Sequence, residues 1–357
     1  MKTALVYDRV NKWGGAERVL LALHKIFSEA PLYTSVYNKE KAPWADVFDI
    51  RTSFLQNFPK AQTSHELYAV LMPMAFESFN FDEYDLVISV TSEAAKGIIT
   101  KPKTLHVCYC LTPTRYLWSG YNDYFRSSLF KLLSKPAVTY LRSWDKIAAQ
   151  RPDEYIAISG EVQDRIKRYY NRESEIIYPP LQLKSQISNL KSQNDYFLVV
   201  SRLTNFYKRV DIAIKACNDL KLPLKIVGEG ADAENLKSLA GPTVEFLGNL
   251  SDFQLSNYYK NCKALIFPGR EDFGLVMAEA QSFGKPVIAF RGGGALDIVQ
   301  EKVTGKFFNE QTSESLKGVL KNFDKTSYNT KLCMENSERF SFCNFEKNFK
   351  EFLNNKI

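Results

Sequence analysis

The chain has 357 residues, 45% hydrophobic and 24% charged, with a formal net charge of +7. That length exceeds one ordinary core and the composition excludes disorder, so two globular domains are expected. No apolar run reaches the roughly 18 residues that cross a bilayer. Six cysteines without a Cys-x-x-Cys pair, beside three histidines, argue for reduced thiols and against a zinc site.

The first residues run straight into an apolar strand at Leu5-Val-Tyr7, with no signal-peptide pattern. Gly14-Gly15-Ala16-Glu17 follows, where a loop would turn tightly and let a substrate approach the backbone. A plain connecting loop is the alternative. Leu86-Val-Ile-Ser89, Leu105-His-Val-Cys-Tyr109 and Tyr155-Ile-Ala-Ile158 read as further buried strands. Between them, residues 115–151 carry Arg115, Arg126, Lys131, Lys135, Arg142, Lys146 and Arg151 against Asp123 and Asp145, interleaved with Leu129, Phe130, Leu132 and Leu133. Such a segment either lies on an anionic membrane, each cation adding on the order of 1 kcal/mol, or packs on its own domain as a solvated helix. No groove-reading or RNA-stacking motif accompanies the charge, so nucleic acid is not an expected partner.

The stretch 179–194 turns polar after Pro179-Pro180 and is the expected domain boundary. Beyond it the alternation restarts at Phe197-Leu-Val-Val200, Leu224-Lys-Ile-Val227, Val244-Glu-Phe-Leu247, Ala264-Leu-Ile-Phe267 and Val287-Ile-Ala-Phe290. Two such blocks predict two parallel sheets covered by helices, with ligands beyond the carboxyl ends of the strands. Arg202 and Lys208 fall in the loop after the first strand of the second block. There a guanidinium fork and a compact ammonium suit a phosphate, although a surface basic pair is the default. No Asp-x-Asp is present to hold a divalent metal.

Glu271 and Glu279 stand eight apart, which in a helix is about 800°, or roughly 80° off register. Glu271 is therefore expected in a loop leaving Ala264–Phe267, and Glu279 in the second turn of a helix starting near Leu275. Free N–H groups at such a helix start favour an anion. Ser251-Asp-Phe-Gln254 reads as a capping box. The phenylalanines from Phe340 onward are spaced for one helical face.

Taken in order, these segments resemble the retaining nucleotide-sugar glycosyltransferases of the GT-B fold, family four. The resemblance rests on Gly14–Glu17, Tyr84-Asp-Leu-Val-Ile-Ser89, Thr112-Pro-Thr-Arg-Tyr-Leu-Trp118 and the segment from Ser201 through Lys208. It continues through Val227-Gly-Glu-Gly230, Phe246-Leu-Gly248, the Glu271-x7-Glu279 signature and Gly292-Gly-Gly294. It covers nearly the whole chain. It implies an α/β GT-B architecture of two doubly wound Rossmann-like domains facing across a cleft. Residues 1–184 would bind the acceptor, residues 185–339 the nucleotide sugar, and residues 340–357 would form a helix crossing back to the first domain.

The resemblance implies a donor site of Gly14, Gly15, Arg202, Lys208, Gly228, Leu250, Asp252, Glu271, Asp272, Phe273, Gly274, Leu275 and Glu279. Glu17, Leu111 and Arg115 would serve the acceptor. Glu271, Arg202 and Lys208 would be catalytic, and neither metal nor cofactor is implied. Glu279 would accept hydrogen bonds from the ribose hydroxyls. The departing phosphate oxygen would deprotonate the incoming hydroxyl on the same face, retaining the anomeric configuration.

Two positions bear on the donor. Leu111 stands where related sequences carry histidine near the sugar's C6 hydroxyl, and leucine leaves that hydroxyl without a partner. The donor is then a 6-deoxy sugar, or the pocket uses another group. Asp252 matches a position that holds guanine in related GDP-mannose enzymes, although the capping box explains it without a ligand. Thr112–Trp118 resembles bacterial O-antigen and exopolysaccharide mannosyltransferases. This implies a GDP-mannose type of donor and a lipid-linked or polysaccharide acceptor at the cytoplasmic face of the membrane. A sugar-nucleotide epimerase or hydrolase on the same fold would need added acid–base residues, which are not found. A non-catalytic glycan-binding scaffold would have lost some of Arg202, Lys208, Glu271 and Glu279, and all four are present. An NAD oxidoreductase would need a third glycine after Gly228-Glu-Gly230.

Overall fold

The structure, a computed structural model, describes all residues except 126, 182–195, 205–207 and 357. Most of the expected boundary at 179–194, with the division at 184/185, lies outside the described residues, as do Arg126 and the Asn205-Phe206-Tyr207 part of the phosphate segment. Two compact units form, one of Met1–Tyr178 with Asn348–Ile357 and one of Pro179–Lys347.

The N-terminal unit holds seven parallel strands: β1 Thr3–Tyr7, β2 Leu32–Thr34, β3 Ile50–Thr52, β4 Leu86–Thr91, β5 Leu105–Cys110, β6 Glu154–Ala157 and β7 Glu175–Ile176. Their order is β3-β2-β1-β4-β5-β6-β7. Leu5 stands opposite both Leu32 and Ile88, so β1 is central and buried on both faces. The C-terminal unit holds β8 Phe197–Val200, β9 Leu224–Val227, β10 Val244–Gly248, β11 Ala264–Phe267, β12 Val287–Phe290 and β13 Gly305–Phe308, ordered β10-β9-β8-β11-β12-β13. Each sheet therefore reverses its winding direction once, at β1/β4 and at β8/β11. Doubly wound sheets take their ligands at such points.

Helix ends follow local chemistry. Ser159 caps Gly160–Tyr170 by accepting from Val162 N at 3.2 Å, and Asn171 ends that helix in the left-handed region at φ 53°. Phe345, Phe349, Phe352 and Leu353 are the buried stripe of the last helix, Phe342–Asn354. Phe349 meets Phe27 edge-on at 6.2 Å within the N-terminal unit. Phe340 stands outside that helix, in a single turn of its own, and packs against Phe273 at 5.5 Å. Among the described residues no helix is long and apolar enough to cross a membrane.

Candidate active site

In the C-terminal unit the loop after β8 carries Arg202, exposed, and Lys208, just ahead of the helix Val210–Leu220. The loop after β11 carries Glu271. Lys208 Nζ lies 2.5 Å from Glu271 Oε1, the two side chains 14% and 19% exposed. This pair joins the two loops at the β8/β11 reversal, where the topology alone places a ligand.

Close backbone packing fixes both loops. Gly228 adopts φ +128°, and a Cβ there would lie 1.9 Å from the Ser201 carbonyl, so only glycine lets the loop after β9 brace the one carrying Arg202. Ser201 N donates to Val227 O at 3.0 Å and Leu203 N to Glu229 O at 2.9 Å. At the other loop, Gly294 N donates to Glu271 O at 2.9 Å, and a Cβ on Gly294 would reach within 2.4 Å of the Phe273 backbone. The turn Glu271–Gly274 is thus held from outside by the glycine loop after β12. Gly274 begins the helix Leu275–Ser282 at φ 91°.

The remaining expected donor residues occupy different surroundings. Phe273 is buried against Phe340. Glu279 does stand in the second turn of Leu275–Ser282, but it is 1% exposed and accepts from the Tyr259 hydroxyl at 3.0 Å. Asp252 is exposed in the first turn of Asp252–Asn261, whose capping box is complete: Ser251 Oγ accepts from Gln254 N, and Gln254 Oε1 from Ser251 N at 3.0 Å. Leu250 lines a cavity of about 660 Å³ with Tyr196, Lys225, Gln254, Tyr258 and Asn261, a set separate from the Lys208–Glu271 pair. Among the described residues no group of three or more His, Cys, Asp or Glu side chains is placed to hold a metal ion.

In the N-terminal unit Gly14 is extended (φ 177°, ψ −158°), a conformation open to any residue, so no tight turn demands glycine there. Glu17, in the first turn of the helix Gly15–Ile26, is 1% exposed and accepts from the Tyr7 hydroxyl at 2.6 Å. Its carboxylate faces the interior of the unit. Leu111, half-buried, continues β5 and donates from its backbone to Thr91 O at 2.8 Å. Arg115 is half-buried in the turn that follows.

That turn is anchored by residues the sequence pattern did not single out. Asp145 Oδ1 lies 2.6 Å from Lys96 Nζ and accepts from Thr114 Oγ1 at 3.0 Å, while Asp145 Oδ2 accepts from Trp118 Nε1 at 2.7 Å. Asp8, at the end of β1, accepts backbone N–H bonds from Ser92, Glu93, Ala94 and Ala95 at 2.7–3.0 Å, closing the loop after β4. The available signal was an aspartate following a buried strand, which is common to many loops. Its four donors lie more than eighty residues away.

Two doubly wound parallel units, the second carrying a cation–carboxylate pair at its reversal, have the strand topology of a GT-B fold. Residues 182–337 match the family described as "Glycosyl transferases group 1". An uncharacterized glycosyltransferase of Methanocaldococcus jannaschii is 25% identical over 205 residues, 56% of this chain and 58% of its own. A GDP-mannose-dependent alpha-mannosyltransferase of Corynebacterium glutamicum is 35% identical over 85 residues, 24% of this chain and 20% of its own. These alignments span less than two thirds of the relatives' length. The Anabaena protein HepE in complex with UDP superposes with a TM-score of 0.73 at 21% identity, covering 99% of this chain and all of that one.

Proposed function

We propose that the protein is a retaining, metal-independent glycosyltransferase that moves a hexose or 6-deoxyhexose from a nucleoside diphosphate sugar to a lipid-linked or polysaccharide acceptor in cell-surface glycan synthesis. The observation that carries this is the Lys208–Glu271 pair, 2.5 Å apart at the β8/β11 reversal. A diphosphate entering there competes for Lys208 and frees Glu271 for the sugar hydroxyls. Arg202 and Lys208 then offset the charge that grows on the leaving diphosphate, Lys208 having exchanged Glu271 for phosphate before the reaction step. The departing phosphate oxygen takes the proton of the incoming hydroxyl on the same face of the sugar. Glu279, buried against Tyr259, is the proposed acceptor for the ribose hydroxyls. The C-terminal unit binds the donor and the N-terminal unit the acceptor.

GDP-mannose is the favoured type of donor. Its support is the mannosyltransferase similarity and the exposed Asp252; the HepE complex with UDP speaks for uridine. The acceptor is placed at the cytoplasmic face of a membrane, supported by the exposed apolar stripe of the helix Ser128–Ala148. A thermal-shift panel of UDP, GDP, ADP and dTDP sugars tests the core of this. A ligand at 100 times its Kd adds roughly 2.7 kcal/mol of stability, and one nucleotide series should stabilise with EDTA present. Silence across the panel removes the transferase proposal, whereas stabilisation only with added magnesium or manganese removes metal independence.

A further inference from the structure

The loop leaving β1 carries chemistry that the donor site does not use. Trp13 is 42% exposed, although indoles are mostly covered in folded proteins. It is not a loose side chain. Trp44 lies beside it, ring centroids 6.0 Å apart and planes tilted by 52°. Trp44 Nε1 donates to the Lys12 carbonyl at 2.7 Å, which fixes the backbone next to Trp13. Behind Trp44 stands Phe48, edge-on at 6.2 Å and itself buried. The exposed indole is thus backed by the unit's own aromatic core and held before any ligand arrives.

Its surroundings are polar. The Arg18 guanidinium lies 6.0 Å from the Trp13 ring. Asn11, two residues upstream, points its amide at Gln62 O, 3.2 Å away. Arg9, at the root of the same loop, pairs with Glu93 at 2.6 Å and bridges the loops after β1 and β4. These two strands form the reversal of the first sheet, where a doubly wound unit takes its ligand.

An exposed indole, anchored through Trp44 and with one guanidinium 6.0 Å from its ring, matches one ligand chemistry closely. A pyranose presents a patch of axial C–H bonds that packs on an aromatic face, with hydroxyls around its edge that need hydrogen-bonding partners. A bare lipid phosphate would use the cations and leave the indole idle. We propose that Trp13, backed by Trp44, is the platform on which a pyranose of the acceptor stacks, so that the acceptor is recognised as a saccharide. This rests on the transferase proposal and names its acceptor class.

The test is saturation-transfer NMR on the whole protein with the methyl glycosides of mannose, glucose, galactose, rhamnose and N-acetylglucosamine. At least one should receive saturation at its ring C–H protons. Trp13→Ala should weaken that signal about fivefold or more, and Trp13→Phe should retain most of it. In parallel, a glycoside that binds should protect Trp13 of the unaltered protein from N-bromosuccinimide, read by mass spectrometry, so the outcome does not depend on a variant that folds. No saturation of any glycoside, equal saturation in Trp13→Ala, or no protection of Trp13 overturns the platform. Nucleotide-sugar stabilisation is read separately: glycoside binding without it leaves the platform and sinks the transferase, and the reverse sinks the platform alone.

Discussion

Lys208 and Glu271 neutralise one another, and for the proposed donor site this changes what each substitution should do. On the proposed reading Lys208 meets diphosphate whether or not a sugar is attached, and Lys208→Ala removes that cation. A charged hydrogen bond contributes about 1.5–3 kcal/mol, so free nucleotide should bind roughly tenfold to a hundredfold more weakly. Glu271→Ala removes the carboxylate that pairs with Lys208 and on this reading would compete with diphosphate for it, so free-nucleotide affinity should hold or rise while turnover falls. Calorimetry with the nucleoside diphosphate beside initial rates separates the two; equal losses of nucleotide affinity would contradict the roles. Leu111→His belongs to the same scale. If Leu111 faces a methyl group at C6, the variant should shift preference toward the 6-hydroxylated member of a donor pair such as GDP-rhamnose and GDP-mannose, by about 1–3 kcal/mol. A preference of the unaltered protein for the hydroxylated donor refutes the 6-deoxy assignment. The sequence puts Glu271 in a loop and Glu279 in a helix, and the structure agrees, because the Asp272-Phe-Gly274 turn stands between the end of β11 and the helix start at Leu275. Burial was not legible. The partners of Glu17 and Glu279 are tyrosines 10 and 20 residues away, brought in by packing between elements.

The helix Ser128–Ala148 answers, at the scale of an element, a question its sequence left open. Val138 and Leu141 are buried against Leu117, so the helix does pack on its own unit. Leu129, Leu132, Leu133, Tyr140 and Ile147 are nevertheless all exposed. At 100° per residue they fall within about 100° on one face, with Lys131, Lys135, Arg142 and Lys146 along one flank. A helix with a second apolar face toward solvent and cations beside it has the form of an interfacial membrane anchor. Leu132→Ser with Leu133→Ser, and separately Lys131→Glu with Lys135→Glu, should each reduce co-sedimentation with anionic liposomes. Only the binding that survives the leucine change should weaken steeply with salt. Binding unaffected by either pair would leave an ordinary solvated face. Elements of four or more apolar residues were readable, and so was the capping box at Ser251, because its two partners are three residues apart. β2, β3 and β7 were not, since two or three residues carry no period, and β13 was missed as well, its Gly305-Lys-Phe-Phe308 holding only two apolar side chains. They exist because a neighbouring strand offers its edge.

For the molecule as a whole, restarting alternation in the sequence was sufficient for two parallel sheets, whereas strand order and the two reversals required the structure. The division into units has a consequence for acid stability. All three histidines, His24, His65 and His106, belong to the N-terminal unit. Burial, with Arg172 and Arg151 nearby, pushes His106 down to about 3, and burial with Arg9 nearby pushes His65 down to about 4. Both are therefore neutral in the fold at pH values where the unfolded chain, near 6.5, already binds the proton. Stability must then fall as pH drops below about 6.5, and for fully buried His106 the loss between pH 6.5 and 5 is about 1–2 kcal/mol. The C-terminal unit has no such group. Hydrogen exchange, corrected for the intrinsic rate, should show the β1–β7 amides losing protection between pH 6.5 and 5 while those of β8–β13 hold theirs. His106→Asn should lower stability at pH 7 and flatten the slope of the N-terminal unit. Parallel loss in both units, or an unchanged slope in the variant, would show that acid acts through groups other than these buried imidazoles.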